Sequence, residues 1–177
     1  MYVPIPTTMT LAEFLENDVP GYEYAKGELI PISPATRRHG RISVSIIRYL
    51  DPYVYENELG EVYTAETIFQ VGERVMKPDV AFVSTDRLDV DEDKSFPIPP
   101  DLAIEVVSPT DVHYRIVRKA FDYLEAGTRR VWVLDPVAKT VTVYRSKSDI
   151  ALLTSEATLT GEDVVPGFTC PVEKLFE

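Results

Sequence analysis

The chain has 177 residues, is 45% apolar, and carries 18 Lys and Arg against 29 Asp and Glu, a formal charge of −11. That length builds one core of ordinary size, so a single domain over residues 1–177 is expected, and the acidity disfavours non-specific wrapping of polyanions. One cysteine, Cys170, excludes an internal disulfide framework and a cysteine-cluster zinc site. The N-terminal stretch has neither a basic leader followed by an apolar run nor a twenty-residue apolar segment, which predicts a cytoplasmic protein with no membrane partner.

Taken in chain order, Thr10 and Glu13 have capping-box spacing, and Leu11, Phe14 and Leu15 supply one apolar side of a helix over 10–17, the body of an N-terminal helical extension at 1–20. YEYAKGELIPI then reads as two short strands hinged at Gly27, with Glu28 just beyond the hinge. From 38 to 54, Ile42, Ile46, Ile47, Leu50 and Val54 share one helical arc while Arg37, Arg41 and Arg48 project from the other, and Pro52 predicts a kink or stop. Residues 61–71 read as one or two strands and 79–83 as another. The stretch 84–100, with its acids and prolines, reads as an exposed loop. DLAIEVVS (101–108) reads as a central strand covered on both faces. A second helix is predicted over 113–126 with Gly127 as its cap, then strands at 131–135 and 139–145 joined by an Asp-Pro turn. Residues 152–161 read as a weaker extended region, and a final helical turn closes the tail. The expected fold class is α/β: a central mixed sheet flanked by helices, with a parallel crossover over 101–135.

Within that scheme some ionisable residues stand out. Glu105 interrupts the most apolar strand and Asp79 opens another. A buried glutamate needs an Arg or Lys partner, or a divalent cation shared with a second carboxylate such as Asp79; both readings stand at this stage. Glu28 is a third carboxylate for an oxygen-rich Mg²⁺ shell, or a surface-turn residue. Lys119 lies on the border of the second helix, either as a surface lysine or reaching over the sheet to a phosphate or water. His39 shares the inward arc of the first long helix, as a core histidine or as a ring ordering the site. With only His39 and His113 in the chain, a three-histidine zinc site is impossible. No phosphate-loop or dinucleotide fingerprint is present.

The ordered pieces YEYAKGELI, HGRI, KPDVAFV, PDLAIEVVSPTD, RKAFDYLEAG, VWVLDP and PGF resemble the Uma-two family of restriction-endonuclease-like proteins, in the PD-(D/E)XK nuclease superfamily. The resemblance implies a restriction endonuclease-like single domain and a Mg²⁺-dependent endonuclease cleaving DNA, with Mn²⁺ as a substitute. It implies metal ligands at Asp79, Glu105 and Glu28, with Lys119 catalytic beside them and His39 in support. The superfamily's usual lysine would fall at Val107; in this family a lysine on the following helix takes its place, and Lys119 holds that position. RNA stays open as a substrate, since nothing in the sequence reads a 2′-hydroxyl, and a homodimer would set two sites across a duplex. The competing expectation is a non-catalytic nucleic-acid-binding or structural protein with a degenerate nuclease-like domain, in which Arg37, Arg41 and Arg48 contact phosphates.

Overall fold

A computed structural model describes residues 9–17, 19–32 and 34–177; the first eight residues of the predicted extension lie outside the described residues. Helix α1 (Leu11–Glu16) starts at the predicted capping box, with Thr10 accepting from the Glu13 N–H and the Glu13 carboxylate accepting from the Thr10 N–H. It buries Phe14 against Tyr24 and Val75. Strands β1 (Tyr22–Ala25) and β2 (Glu28–Pro31) form the expected hairpin.

Helix α2 (Arg37–Glu56) is longer than its sequence suggests, running through Pro52. Leu50 and Val54 are buried on either side of the proline, and their burial outweighs one missing backbone hydrogen bond. Strands β3 (Gly60–Thr64) and β4 (Phe69–Val71) divide the stretch read at 61–71, and a two-residue turn at Gly72-Glu73 returns the chain as β5 (Arg74–Met76). Gly60 sits at φ +149° where a Cβ would fall 2.0 Å from the Val83 carbonyl oxygen, so only glycine allows β3 to lie this close to its neighbour.

Strands β6 (Val80–Ser84), β7 (Leu102–Val106), β8 (Arg130–Asp135), β9 (Thr140–Tyr144) and β10 (Ile150–Leu153) complete the central sheet, ordered β10-β9-β8-β7-β6-β3. Within it β7 and β8 run parallel, joined through helix α3 (His113–Ala126), and the other pairs are antiparallel. Gly127, at φ +110°, ends α3 as predicted. A four-stranded antiparallel sheet, β2-β1-β5-β4, lies beside the central one, and strands β11 (Thr158–Thr160) and β12 (Thr169–Pro171) pair near the C-terminus, followed by a 3₁₀ turn over Val172–Phe176.

Alternation along β7 explains both cores. Leu102, Ile104 and Val106 face α2, together with Phe82 and Trp132 from the neighbouring strands. Ala103 faces α3 with Ala81, Val131 and Val133. Glu105 shares the phase of Ala103, so its side chain emerges beneath α3.

The acidic loop departs from the expectation of full exposure. Phe96 is buried, stacks on Phe69 at 4.8 Å, and exchanges backbone hydrogen bonds with Ile68 and Gln70. Its ring gains more from leaving water than the flanking charges lose by being tethered. Phe96→Ala is expected to lower the unfolding free energy by about 3 kcal/mol and to open the loop to limited proteolysis; unchanged urea midpoints and cleavage rates would refute this anchor.

Candidate active site

The site forms where β7 ends and β6 begins. One step beyond the Val80–Ile104 pair, the antiparallel register sets Asp79 opposite Glu105. Asp79 is reached by the short Lys77-Pro78 segment that carries the chain from β5, in the small sheet, into β6, in the central sheet.

Glu105 is 15% exposed and is met from α3 by two donors: Lys119 Nζ lies 2.9 Å and 3.0 Å from its two carboxylate oxygens, and the Tyr123 hydroxyl donates at 2.9 Å. Lys119 and Tyr123 stand one helical turn apart, so the same face of α3 presents both. A second carboxylate, Glu23 from β1, accepts from Lys119 Nζ at 2.9 Å and from the Lys77 N–H at 3.0 Å. Asp79 Oδ2 accepts from the Val106 N–H at 2.7 Å and lies 3.0 Å from His39 Nε2 at the start of α2.

Two carboxylates, Glu105 and Glu23, thus share one ammonium, and a third, Asp79, lies across the strand pair with His39 as its partner. Burial pushes the Glu105 carboxyl up to about 8; Lys119 opposes that rise, while the charges of Asp79 and Glu23 add to it. Burial disfavours the Lys119 charge, but Glu105 and then Glu23 more than reverse this and hold the amine protonated well above its ordinary range. The Tyr123 hydroxyl is raised by burial and by the same acids. His39 is raised by its hydrogen bond to Asp79, against burial, with the charges of Asp79, Glu105 and Asp111 in support. Even with His39 protonated on Asp79, one lysine faces both Glu105 and Glu23, so the cluster favours an added proton or an added cation.

The structure therefore brings together Asp79, Glu105, Lys119 and His39. Glu28 is exposed on β2, opposite Ala25 at the turn of the hairpin, and its carboxylate makes no hydrogen bond or ion pair among the described residues. Glu23, which sequence reasoning passed over, is the hairpin acid that reaches Lys119. Its signal was the alternation in YEYA: Tyr24 faces the core with Phe14, so Glu23 must face the other way. Among the described residues, no group of three or more His, Cys, Asp or Glu side chains is gathered to hold a metal ion. No helix among them is long and apolar enough to cross a membrane.

Residues 9–173 match the Uma2 family, described as "Putative restriction endonuclease". A solved structure from Anabaena variabilis, described as "a putative nuclease belonging to DUF820", superposes with a TM-score of 0.84 at 23% identity, covering 95% of this chain and 97% of that one. At that identity the likeness speaks for the fold, a restriction-endonuclease-like mixed sheet flanked by helices, as the sequence led us to expect. No curated protein matches the chain. With nearly the whole length accounted for by one family, this chain belongs to the Uma2 family and carries its nuclease-like fold.

Proposed function

We propose that this protein is a metal-dependent endonuclease that hydrolyses DNA phosphodiester bonds at the Asp79–Glu105 pair. The observation that carries the reading is the imbalance around Glu105: a carboxyl raised to about 8 by burial, facing Asp79 and sharing Lys119 with Glu23. A divalent ion fits this donor set, because Mg²⁺ is commonly held by one or two carboxylates and completes its shell with waters and substrate phosphate. Asp79 and Glu105 would hold it, and Mn²⁺ would substitute. When bound, the ion supplies charge compensation on the phosphoryl oxygens and a water of lowered pKa.

The chain's own groups supply the rest. His39 and the Val106 N–H both engage Asp79 Oδ2, which fixes the carboxylate and leaves Oδ1 without a hydrogen-bond partner among the described residues. Lys119 sets a permanent positive charge beside Glu105, suited to orienting the attacking water and to countering charge that develops on phosphate. Tyr123 holds Glu105 from the same face of α3, one turn beyond Lys119. The third acid is Glu28 by motif and Glu23 by contact. A two-fold dimer would set two such sites across a duplex, which sedimentation equilibrium would reveal.

The competing reading, a nucleic-acid-binding domain that no longer cuts, draws on Val107 at the strand position where the superfamily carries its amine. Nicking of supercoiled DNA, with RNA alongside, separates the two. Asp79→Asn and Glu105→Gln are expected to lose at least about 10²-fold in rate and Lys119→Met about 10²-fold. Glu23→Gln and Glu28→Gln are compared directly, and the larger loss identifies the third acid. Nicking by folded Glu105→Gln at the parent's rate would sink the assignment, and a parent that cuts neither polymer with Mg²⁺ or Mn²⁺ would leave the binding reading.

A second expectation concerns stability. The folded Glu105 carboxyl titrates near 8 against an ordinary 4.5, so between those values the folded state binds more protons than the unfolded one, and stability falls as pH rises through this window. His39, also raised, is stabilising below its ordinary value and loses that contribution as pH rises through its folded one. In chelator, Glu105→Gln should flatten the decline in stability across this window, and an unchanged slope would refute the raised carboxyl. Added Mg²⁺ should raise the parent's Tm at that pH and leave Asp79→Asn and Glu105→Gln unmoved; an equal rise in all three would exclude these residues as ligands.

A further inference from the structure

We propose that the cleft between the start of α2 and the β8–β9 turn binds the phosphate backbone of a nucleic-acid strand flanking the Asp79–Glu105 site. The cleft measures about 680 Å³, and Arg37, Arg38, Arg41 and Lys139 line it. The inference rests on the nuclease reading of the acids but is carried by different residues.

Charge is the first argument. In a chain of net charge −11, several exposed cations elsewhere sit on carboxylates, as in Arg129–Asp163, Lys94–Asp91 and Lys147–Glu125, while Arg48, Arg115 and Arg118, which make no ion pair among the described residues, lie outside this cleft. None of the four cleft cations is in an ion pair with a side-chain carboxylate among the described residues. Arg41 Nε donates to the main-chain oxygen of Glu177 at 2.9 Å, while the Glu177 side chain, the acid on the cleft wall, is taken by Lys174 at 2.8 Å. The cleft is therefore a cationic opening in an acidic surface, where a polyanion meets attraction instead of repulsion.

Helix polarity is the second. Three of these cations fall in the first five residues of a 20-residue helix whose first turn carries no acid. The N-terminus of a helix already bears positive partial charge, so arginines stacked there oppose it. An anion in the cleft relieves both repulsions together.

Geometry is the third. Arg37 and Arg41 lie one turn apart on one face of α2, Arg38 about 100° further round, and His39 about another 100° beyond. His39 is the residue that reaches Asp79. A strand passing over this helix start therefore meets the cleft cations on one flank and the candidate active site on the other. The turn opposite is held by Asp135, whose Oδ1 accepts from the Val137 and Ala138 N–H groups, and it presents Val137 at 81% exposure beside Lys139. Backbone phosphates on the arginines, with sugar or base against Val137, make a surface for a polymer.

The test is fluorescence anisotropy of short labelled duplex and single-stranded DNA in chelator, where no cleavage occurs, with the quadruple variant Arg37→Gln, Arg38→Gln, Arg41→Gln and Lys139→Gln. Four lost contacts should make the slope of log affinity against log salt shallower by about 3 to 4 and weaken low-salt binding by roughly 10²-fold. The variant's Tm should equal or exceed the parent's. Val137→Glu, which adds a carboxylate and removes no cation, should also weaken binding, while Arg48→Gln, outside the cleft, should not. Parent-like affinity and salt slope in the quadruple variant would overturn the proposal, as would ATP occupying the cleft in a protein that binds neither DNA form. Nicking with Mg²⁺ is scored separately: binding that depends on the cleft without cleavage refutes the nuclease reading alone, and cleavage with binding indifferent to the cleft refutes this proposal alone.

Discussion

Lys119 carries a single positive charge shared between carboxylates from two different sheets, Glu105 in the central one and Glu23 in the smaller one, and so ties the two sheets together at the candidate site. The lysine is 27% exposed, so water screens part of the attraction, and the arrangement is better understood as a joint than as a source of great stability. Glu23 also accepts from the backbone N–H of Lys77, two residues before Asp79. The same acid that steadies the amine thus steadies the segment that delivers the second carboxylate to the site.

The two ends of β7 show how context separates a fully paired acid from one that must share its partner. Asp101, just before the strand, is 2% exposed and fully engaged: one oxygen accepts from the Ser84 N–H and hydroxyl, and the other pairs with Arg87 at 2.7 Å. Its partners are donors, and the ion pair is its own. Glu105 must share its one cation with Glu23 and faces Asp79. By burial alone Asp101 would look the more unusual residue; by charge balance Glu105 is. The difference identifies the end of the strand where a further cation is favoured.

The alternation of DLAIEVVS and the arc of 113–126 were enough to read β7 and α3 from sequence, because burial on two faces and on one stripe leave distinct periods. The β4–β5 turn escaped because each arm is three residues long, too short for a period to show. The run of α2 through Pro52 escaped because packing at Leu50 and Val54 is a tertiary effect that local propensity does not contain. Asp79, Glu105, Lys119 and His39 were legible as residue types at telling positions. Their convergence with Glu23 was not: periodicity tells which face a side chain takes, but not which strand of another sheet lies across from it.

The amine of this site stands on a helix, whereas the superfamily pattern would put it on the strand at position 107. A strand residue is fixed by the ladder that its backbone makes, but a helix residue is placed by how the helix seats, here through buried Ala120 and Tyr123. The placement of the amine is thereby separated from that of the acids. A core substitution beneath α3 would move Lys119 without touching either carboxylate, a change that the motif residues alone do not record.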